Sequence, residues 1–179
     1  MREVQTNETH IAAVKVIEVT DRPSLSLLQV GWPAYQQHLI RVIAPLTPQQ
    51  LELRVAPQLR SIRQLAVHII SSRSWWLHWV MHEGPAEIAP MADWNDEGQP
   101  AWTAPQIVQG LERTWEILLE GLARWTPDEL AETFQHPRRV ADGRYSRQWI
   151  VWHLVEHDIH HGGELSFALG ILGLPAMDL

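Results

Sequence analysis

Apolar residues recur at helical spacing in four stretches of this chain, and strand-like alternation is scarce. The first stretch predicts a helix from about Ser24 to Ala44, with Pro23 near its start and Leu28, Tyr35, Leu39 and Val42 along one stripe. The second begins at Ser61. There Ser61-Ile62-Arg63-Gln64 fits a capping box, in which the serine oxygen takes the third helical amide and the glutamine reaches back. Its stripe runs through Ile62, Leu65, Ile69, Trp76 and Val80 and fades near Gly84-Pro85. The third starts at a similar box, Thr103-Ala104-Pro105-Gln106, and continues through Ile107, Leu111, Trp115, Leu118 and Leu122. The fourth follows the Asp142-Gly143 turn and reaches about Gly173, with Pro175 just beyond it. The strand candidate, Ala13 to Val19, is too short and isolated to found a sheet. Amphipathic helices without a sheet predict an all-α four-helix bundle.

The connections refine this picture. Residues from Glu83 to Trp102 carry Gly84, Pro85, Pro90, Gly98 and Pro100, a link long enough to cross the bundle. The second and third helices therefore need not be antiparallel neighbours, and the pattern alone does not order the helices. A faint repeat is also present. Leu46-Thr47-Pro48-Gln49-Gln50-Leu51 echoes Trp125-Thr126-Pro127-Asp128-Glu129-Leu130, and each is followed by a serine with a histidine seven residues on, Ser61 to His68 and Ser146 to His153. Convergence on good capping chemistry and an old duplication of a helical hairpin account for it equally well.

At 179 residues the chain suits one domain, with residues 1–22 as a polar extension and 23–179 as the bundle. A formal net charge of −7 without a basic run argues against nucleic acid or an anionic membrane as partner, since both require a positive field. No stretch approaches the roughly 18 apolar residues of a membrane span, and the N-terminus has no apolar signal core, so the expected location is cytoplasmic. The chain has no cysteine. Any thiol in its chemistry must come from a small molecule.

Histidine occurs 10 times, and its placement matters more than its number. His157 and His161 are four apart, which stacks them on one helix face about 6 Å apart along the axis, a separation that lets two imidazoles grip one ion of zinc size. Asp158 stands where the metalloprotease H-E-x-x-H motif has glutamate, so a peptidase would lack its general base. A third ligand must come from another helix, and His68 fits best, embedded in Leu65-Ala66-Val67-His68-Ile69-Ile70. The competing reading is a core histidine satisfied by a backbone carbonyl.

Ser61-Ile62-Arg63-Gln64-Leu65-Ala66-Val67-His68 resembles the DinB-like helix that ends in a first ligand histidine. The run from Trp152 to Leu165 resembles that superfamily's closing helix, where a ligand pair four apart is followed by Arg-Gly-Gln. The likeness extends from about Ser24 to Pro175, including the Leu-Thr-Pro turn, and leaves Met1 to Arg22 outside. It implies His68, His157 and His161 as ligands of one divalent metal, zinc or nickel foremost and iron as an option. This chain departs from the pattern at Gly162, usually Arg, and Glu164, usually Gln.

The resemblance further implies a thiol S-transferase, in which a low-molecular-weight thiol such as bacillithiol or mycothiol is activated to attack a small-molecule electrophile. Competing readings are a hydrolase using metal-bound hydroxide and a non-enzymatic, stress-linked metal-binding dimer. Glu164 is a candidate acceptor for an imidazole N–H or a general base, and His153 a candidate fourth ligand, proton shuttle or packed residue. Glu156 is expected on a solvated face and His160 away from the pair. Arg138, Arg139, Arg144 and Arg147 are basic residues before or at the opening of the last helix. Arg144 and Arg147 are the candidates to clamp carboxylates of a thiol cofactor. The tryptophans at 75, 76, 79, 149 and 152 predict core or a homodimer interface, with an apolar wall for the electrophile as a lesser option.

Overall fold

A computed structural model of the protein describes residues 23–137 and 143–178. The strand candidate at 13–19, the polar extension, Arg138 and Arg139 lie outside the described residues. Helix α1 spans Pro23–Ile43, a single turn α2 spans Pro48–Leu51, and α3 spans Ile62–Ser74. The last of these runs directly into a π-helical segment, Trp75–Val80, and a 3-10 helix follows at Ala86–Asp93. Helix α4 spans Ala104–Arg124, the short α5 spans Pro127–Ala131, and α6 spans Arg147–Ile171. A two-stranded antiparallel hairpin, β1 (Thr133–Gln135) with β2 (Arg144–Ser146), leads into α6. The predicted four-helix bundle is therefore present, with this small hairpin added.

Local chemistry sets the helix starts. Ser61 accepts from the Gln64 amide while the Gln64 side chain accepts from the Ser61 N–H at 3.0 Å. Thr47 and Thr126 do the same for α2 and α5, each with proline at the first helical position, so both halves of the sequence repeat are capped turns. At α4 the Gln106 side chain accepts from the Thr103 N–H at 2.9 Å. Ser146 caps α6 by accepting from the Trp149 amide.

Helix α3 packs most extensively on α6 and also lies against α4, while α1 packs mainly on α4. The second and third long helices are thus neighbours despite the long link between them. That link folds back onto α3: Ile88 is buried, its carbonyl accepts from Ser74 Oγ at 2.6 Å, and Trp94 stacks on Trp102 with centroids 4.0 Å apart.

The core has two apolar clusters. One gathers Trp32, Leu77, Trp115, Leu118, Trp125, Ile150 and Leu154, and the other gathers Leu39, Ile43, Ile62, Ile70, Leu111, Leu165 and Leu169. Between them the four long helices contribute a layer of fully buried polar residues that includes Gln36, Arg73, Thr114 and Asp158. Arg73 donates through Nε to both Asp158 oxygens at 3.1 Å and through Nη2 to Oδ2 at 2.5 Å. It also donates to Gln36 Oε1 at 2.8 Å and to the Leu111 carbonyl at 3.3 Å, and Trp32 Nε1 completes the carboxylate's shell at 2.7 Å. Asp158 therefore serves the bundle's centre and is turned away from any solvent-facing chemistry.

At one end of the bundle Arg147 donates to Glu83 at 2.5 Å, to Glu132 at 2.6 Å and to the Glu129 carbonyl at 3.0 Å, beneath the rings of Trp125 and Phe134. Glu83 also accepts from Trp125 Nε1 at 3.2 Å and pairs with Arg124. This knot ties the end of the π-helix to the start of α6.

Removing one partner of a fully buried ion pair leaves an uncompensated charge, at a cost of about 3–5 kcal/mol. Asp158→Ala should lower unfolding stability by that order in urea denaturation; a loss under about 1 kcal/mol would contradict the role given to the central layer.

Candidate metal centre

His68 lies on α3 and projects toward α6, which presents His157 and His161 one turn apart. The three imidazoles converge: ring centroids are 4.8 Å apart for His68–His157, 4.5 Å for His68–His161 and 4.4 Å for His157–His161. One ring nitrogen from each lies within 4.8 Å of the others. Nε2 of His68 and Nε2 of His157 face each other at 3.2 Å. Two nitrogens bound tetrahedrally to one zinc at about 2.0–2.1 Å would sit roughly 3.3 Å apart. The observed separation therefore suits a shared ion.

Electrostatics agree with that fit. Burial holds the His68 pKa down to about 4, aided by the charges of Arg60 and His161. Burial, followed by the neighbouring histidines, pushes His157 down to about 2. His161 is also lowered, chiefly by burial and against the pull of Glu164. All three are neutral at pH 7, the protonation state that a metal ligand needs. His161 Nδ1 lies 2.7 Å from Glu164 Oε2, which makes Nδ1 the protonated nitrogen and leaves Nε2 as the lone-pair donor. The His157 Nδ1, by contrast, is buried without a hydrogen-bond partner among the described residues.

The DinB family sequence profile matches residues 25–178. The chain belongs to the DinB family. Two solved structures share its fold: a DinB-like protein from Bacillus cereus ATCC 10987 at 19% identity, TM-score 0.63, covering 85% of this chain and 94% of that one, and a DinB-family protein from Exiguobacterium sibiricum 255-15 at 19% identity, TM-score 0.59, covering 86% and 93%. No curated protein matches the chain.

Both departures of this DinB-family chain from the motif have a physical reading here. A Cβ at Gly162 would overlap the Tyr35 hydroxyl, which donates to the Ile159 carbonyl at 3.2 Å, between His157 and His161 in sequence. Tyr35 thus occupies the space that a side chain at 162 would need. Glu164 sets a carboxylate, rather than a neutral amide, on the His161 ring, which makes that imidazole more basic.

The remaining predicted site residues fall into separate places. His153 is half-buried, stacked on Trp149 at 5.1 Å and edge-on to Trp76, with its ring 5.9 Å from that of His157 and outside the three-histidine grouping. His160 is exposed, with Nε2 3.5 Å from Glu164 Oε1, and forms with His161 and Glu164 a second possible donor group. Glu156 is exposed, 3.9 Å from His153 Nδ1. Arg144 donates to Thr133 Oγ1 at 2.9 Å and to the Thr133 carbonyl, while Arg147 is spent in the knot with Glu83 and Glu132. Arg147 also lies ten residues before His157, about 15 Å along the helix axis. Neither arginine is brought to the histidines.

His136 was absent from the sequence expectations. It is buried at the end of β1, near Trp76 at 5.2 Å and Trp75 at 5.9 Å. Together with His68, Ser71, Ser72, Trp75 and Asp96 it lines an open cleft of about 350 Å³ beside the triad. Ser71, Ser72 and Trp75 follow His68 at helical spacing, so the floor of this cleft is one face of α3.

Two measurements test this centre. A histidine whose folded pKa lies below its unfolded value of about 6.5 takes up a proton on unfolding, so stability rises with pH between the two values. Metal-free protein should be most stable above about pH 6.5 and lose stability as pH falls toward 4, read from urea midpoints; a midpoint that climbs on acidification contradicts the buried neutral triad. Glu164→Ala should weaken metal binding by about 10–100-fold in chelator competition, the usual effect of removing an imidazole's outer partner.

Proposed function

We propose that this DinB-family protein is a metal-dependent thiol S-transferase acting on a small electrophile. The observation that carries the reading is the convergence of His68, His157 and His161, with 3.2 Å between two facing Nε2 atoms, next to a cleft that His68 itself lines. A divalent ion held there would stabilise a thiolate at neutral pH, because the cation offsets the sulfur's negative charge. The chain's lack of cysteine fits a reaction in which a small molecule supplies the thiol.

Each residue has a definable task. His68, His157 and His161 would supply three neutral nitrogens and leave a further position for the thiol. Glu164 holds the Nδ1 proton of His161 and so fixes that ring's orientation. Trp75 offers a half-buried apolar wall for the electrophile beside His68. His153, one turn before His157 and packed on Trp149, would accept or return a proton through solvent. In the transfer the sulfur forms its bond to the electrophilic carbon, the leaving group departs with the electron pair, and the thiol proton passes to solvent.

A homodimer belongs to the same reading. Trp152 and Ile159 are 59% and 53% exposed and seven residues apart on α6, which aligns them on one face. Sedimentation at micromolar concentration should give twice the chain mass, and Trp152→Glu should give the monomer; a monomeric parent protein contradicts this part.

The activity is tested with protein loaded with zinc or nickel, bacillithiol or mycothiol, and a reactive alkylating substrate. Turnover should require both metal and thiol and fall at least about 100-fold in His157→Ala, which removes an ion ligand. Turnover without added thiol would point to hydrolysis by bound hydroxide, and no turnover with any thiol would overturn the reading.

A further inference from the structure

On the other side of Glu164 lies a second pocket, of about 250 Å³, whose floor is Leu65 and Ala168. Its rim is formed by Leu59 and Phe167, which are 49% and 67% exposed, large apolar side chains left in water. Arg60 and Glu164 supply its charged end. The Glu164 carboxylate is engaged with His161 at 2.7 Å and lies 3.5 Å from His160. Arg60 is in a different position. Of the three arginines in this stretch, Arg54 donates to the Leu59 carbonyl and Arg63 pairs with Glu52, but the Arg60 guanidinium makes no hydrogen bond or ion pair among the described residues. Arg60 shares this lining with Glu164, whose carboxylate reaches His161, which sets it close to the triad.

We propose that this pocket is the substrate-selecting subsite of the centre and takes a small carboxylate with an apolar body, its carboxylate on Arg60 and its body between Leu59 and Phe167. The inference rests on the functional reading above in one respect only, that the selected molecule is the electrophile or thiol of that reaction. The charge assignment follows from complementarity. A guanidinium with no hydrogen bond or ion pair among the described residues matches a carboxylate's two oxygens, while the Glu164 carboxylate in the same pocket is oriented by its hydrogen bond to His161 Nδ1. The size assignment follows from the volume, which is below the roughly 300–1,000 Å³ of drug-sized pockets and admits a short chain or a single ring. The chain as a whole carries −7 and would repel an anion, so a local cation is what admits one.

The test measures binding of hexanoate, 1-hexanol and hexylamine to the full-length protein by calorimetry, both metal-loaded and stripped with chelator. Hexanoate should bind about tenfold or more tightly than 1-hexanol and hexylamine, as expected of a charge-assisted pair. Arg60→Gln should erase that preference, and Phe167→Ser should weaken hexanoate and 1-hexanol alike. Amide shifts confined to residues around Leu59, Arg60 and Phe167 would locate the ligand. Equal binding of the three probes, a preference for hexylamine, or a preference that survives Arg60→Gln overturns the proposal. Because the stripped protein keeps Arg60, hexanoate binding without metal upholds the pocket even where thiol transfer fails. Conversely, thiol transfer without hexanoate binding removes the pocket and leaves the transferase.

Discussion

The structure depends on a polar layer enclosed between two apolar clusters, with the Arg73–Asp158 pair at its centre. Both side chains are fully buried, and removing two charges from water costs several kcal/mol per ion before any attraction is counted. The layer is tolerable because its charge is met on every side, by Trp32 and Gln36 from α1, the Leu111 carbonyl from α4, and each other. Directional bonds of this kind admit one register of α3 against α6, whereas apolar packing alone would accept small slips. Asp158 is next to His157 in sequence, and Arg73 is five residues past His68. The register that satisfies the pair is the register that brings the three imidazoles together.

This coupling also explains the division of labour on α6. Successive helical residues point about 100° apart, so Asp158 enters the bundle centre while His157 and His161 face α3. The long link and the hairpin then close around the histidines. The 3-10 segment and the turn after it form one wall of the cleft beside His68, and the loop after β1 brings His136 to its end. On the opposite side the turn before α3 sets Leu59 and Arg60 against Glu164 and Phe167. The histidines thus sit on rigid helices, with one pocket lined by His68 and a second lined by Glu164, each completed by loop residues.

Much of this was legible in the sequence because its determinants are local. The capping chemistry at Ser61 and Thr103 marked two helix starts, and the four-residue spacing of His157 and His161 marked a shared face. His68 stood out as a polar residue in an apolar run. The Arg73–Asp158 pair was not legible, since its members are 85 residues apart and Asp158 reads locally as a failed protease motif. The π-helical turn at Trp75–Val80 continues α3 without a break, and no periodicity in the chain announces it. His136 lies outside any helix, so no spacing tied it to the others. The repeat pointed to His153 as the counterpart of His68, yet the grouping is made one turn further along, at His157.

The central claim is that three neutral imidazoles from two helices hold one ion. Elemental analysis of untagged protein, purified without nickel resin and paired with His157→Ala, tests it most directly. The account predicts close to one divalent ion per chain in the parent protein and a large loss in the variant. Metal content that is absent from the parent even after loading with zinc or nickel, or equal in both proteins, would contradict it.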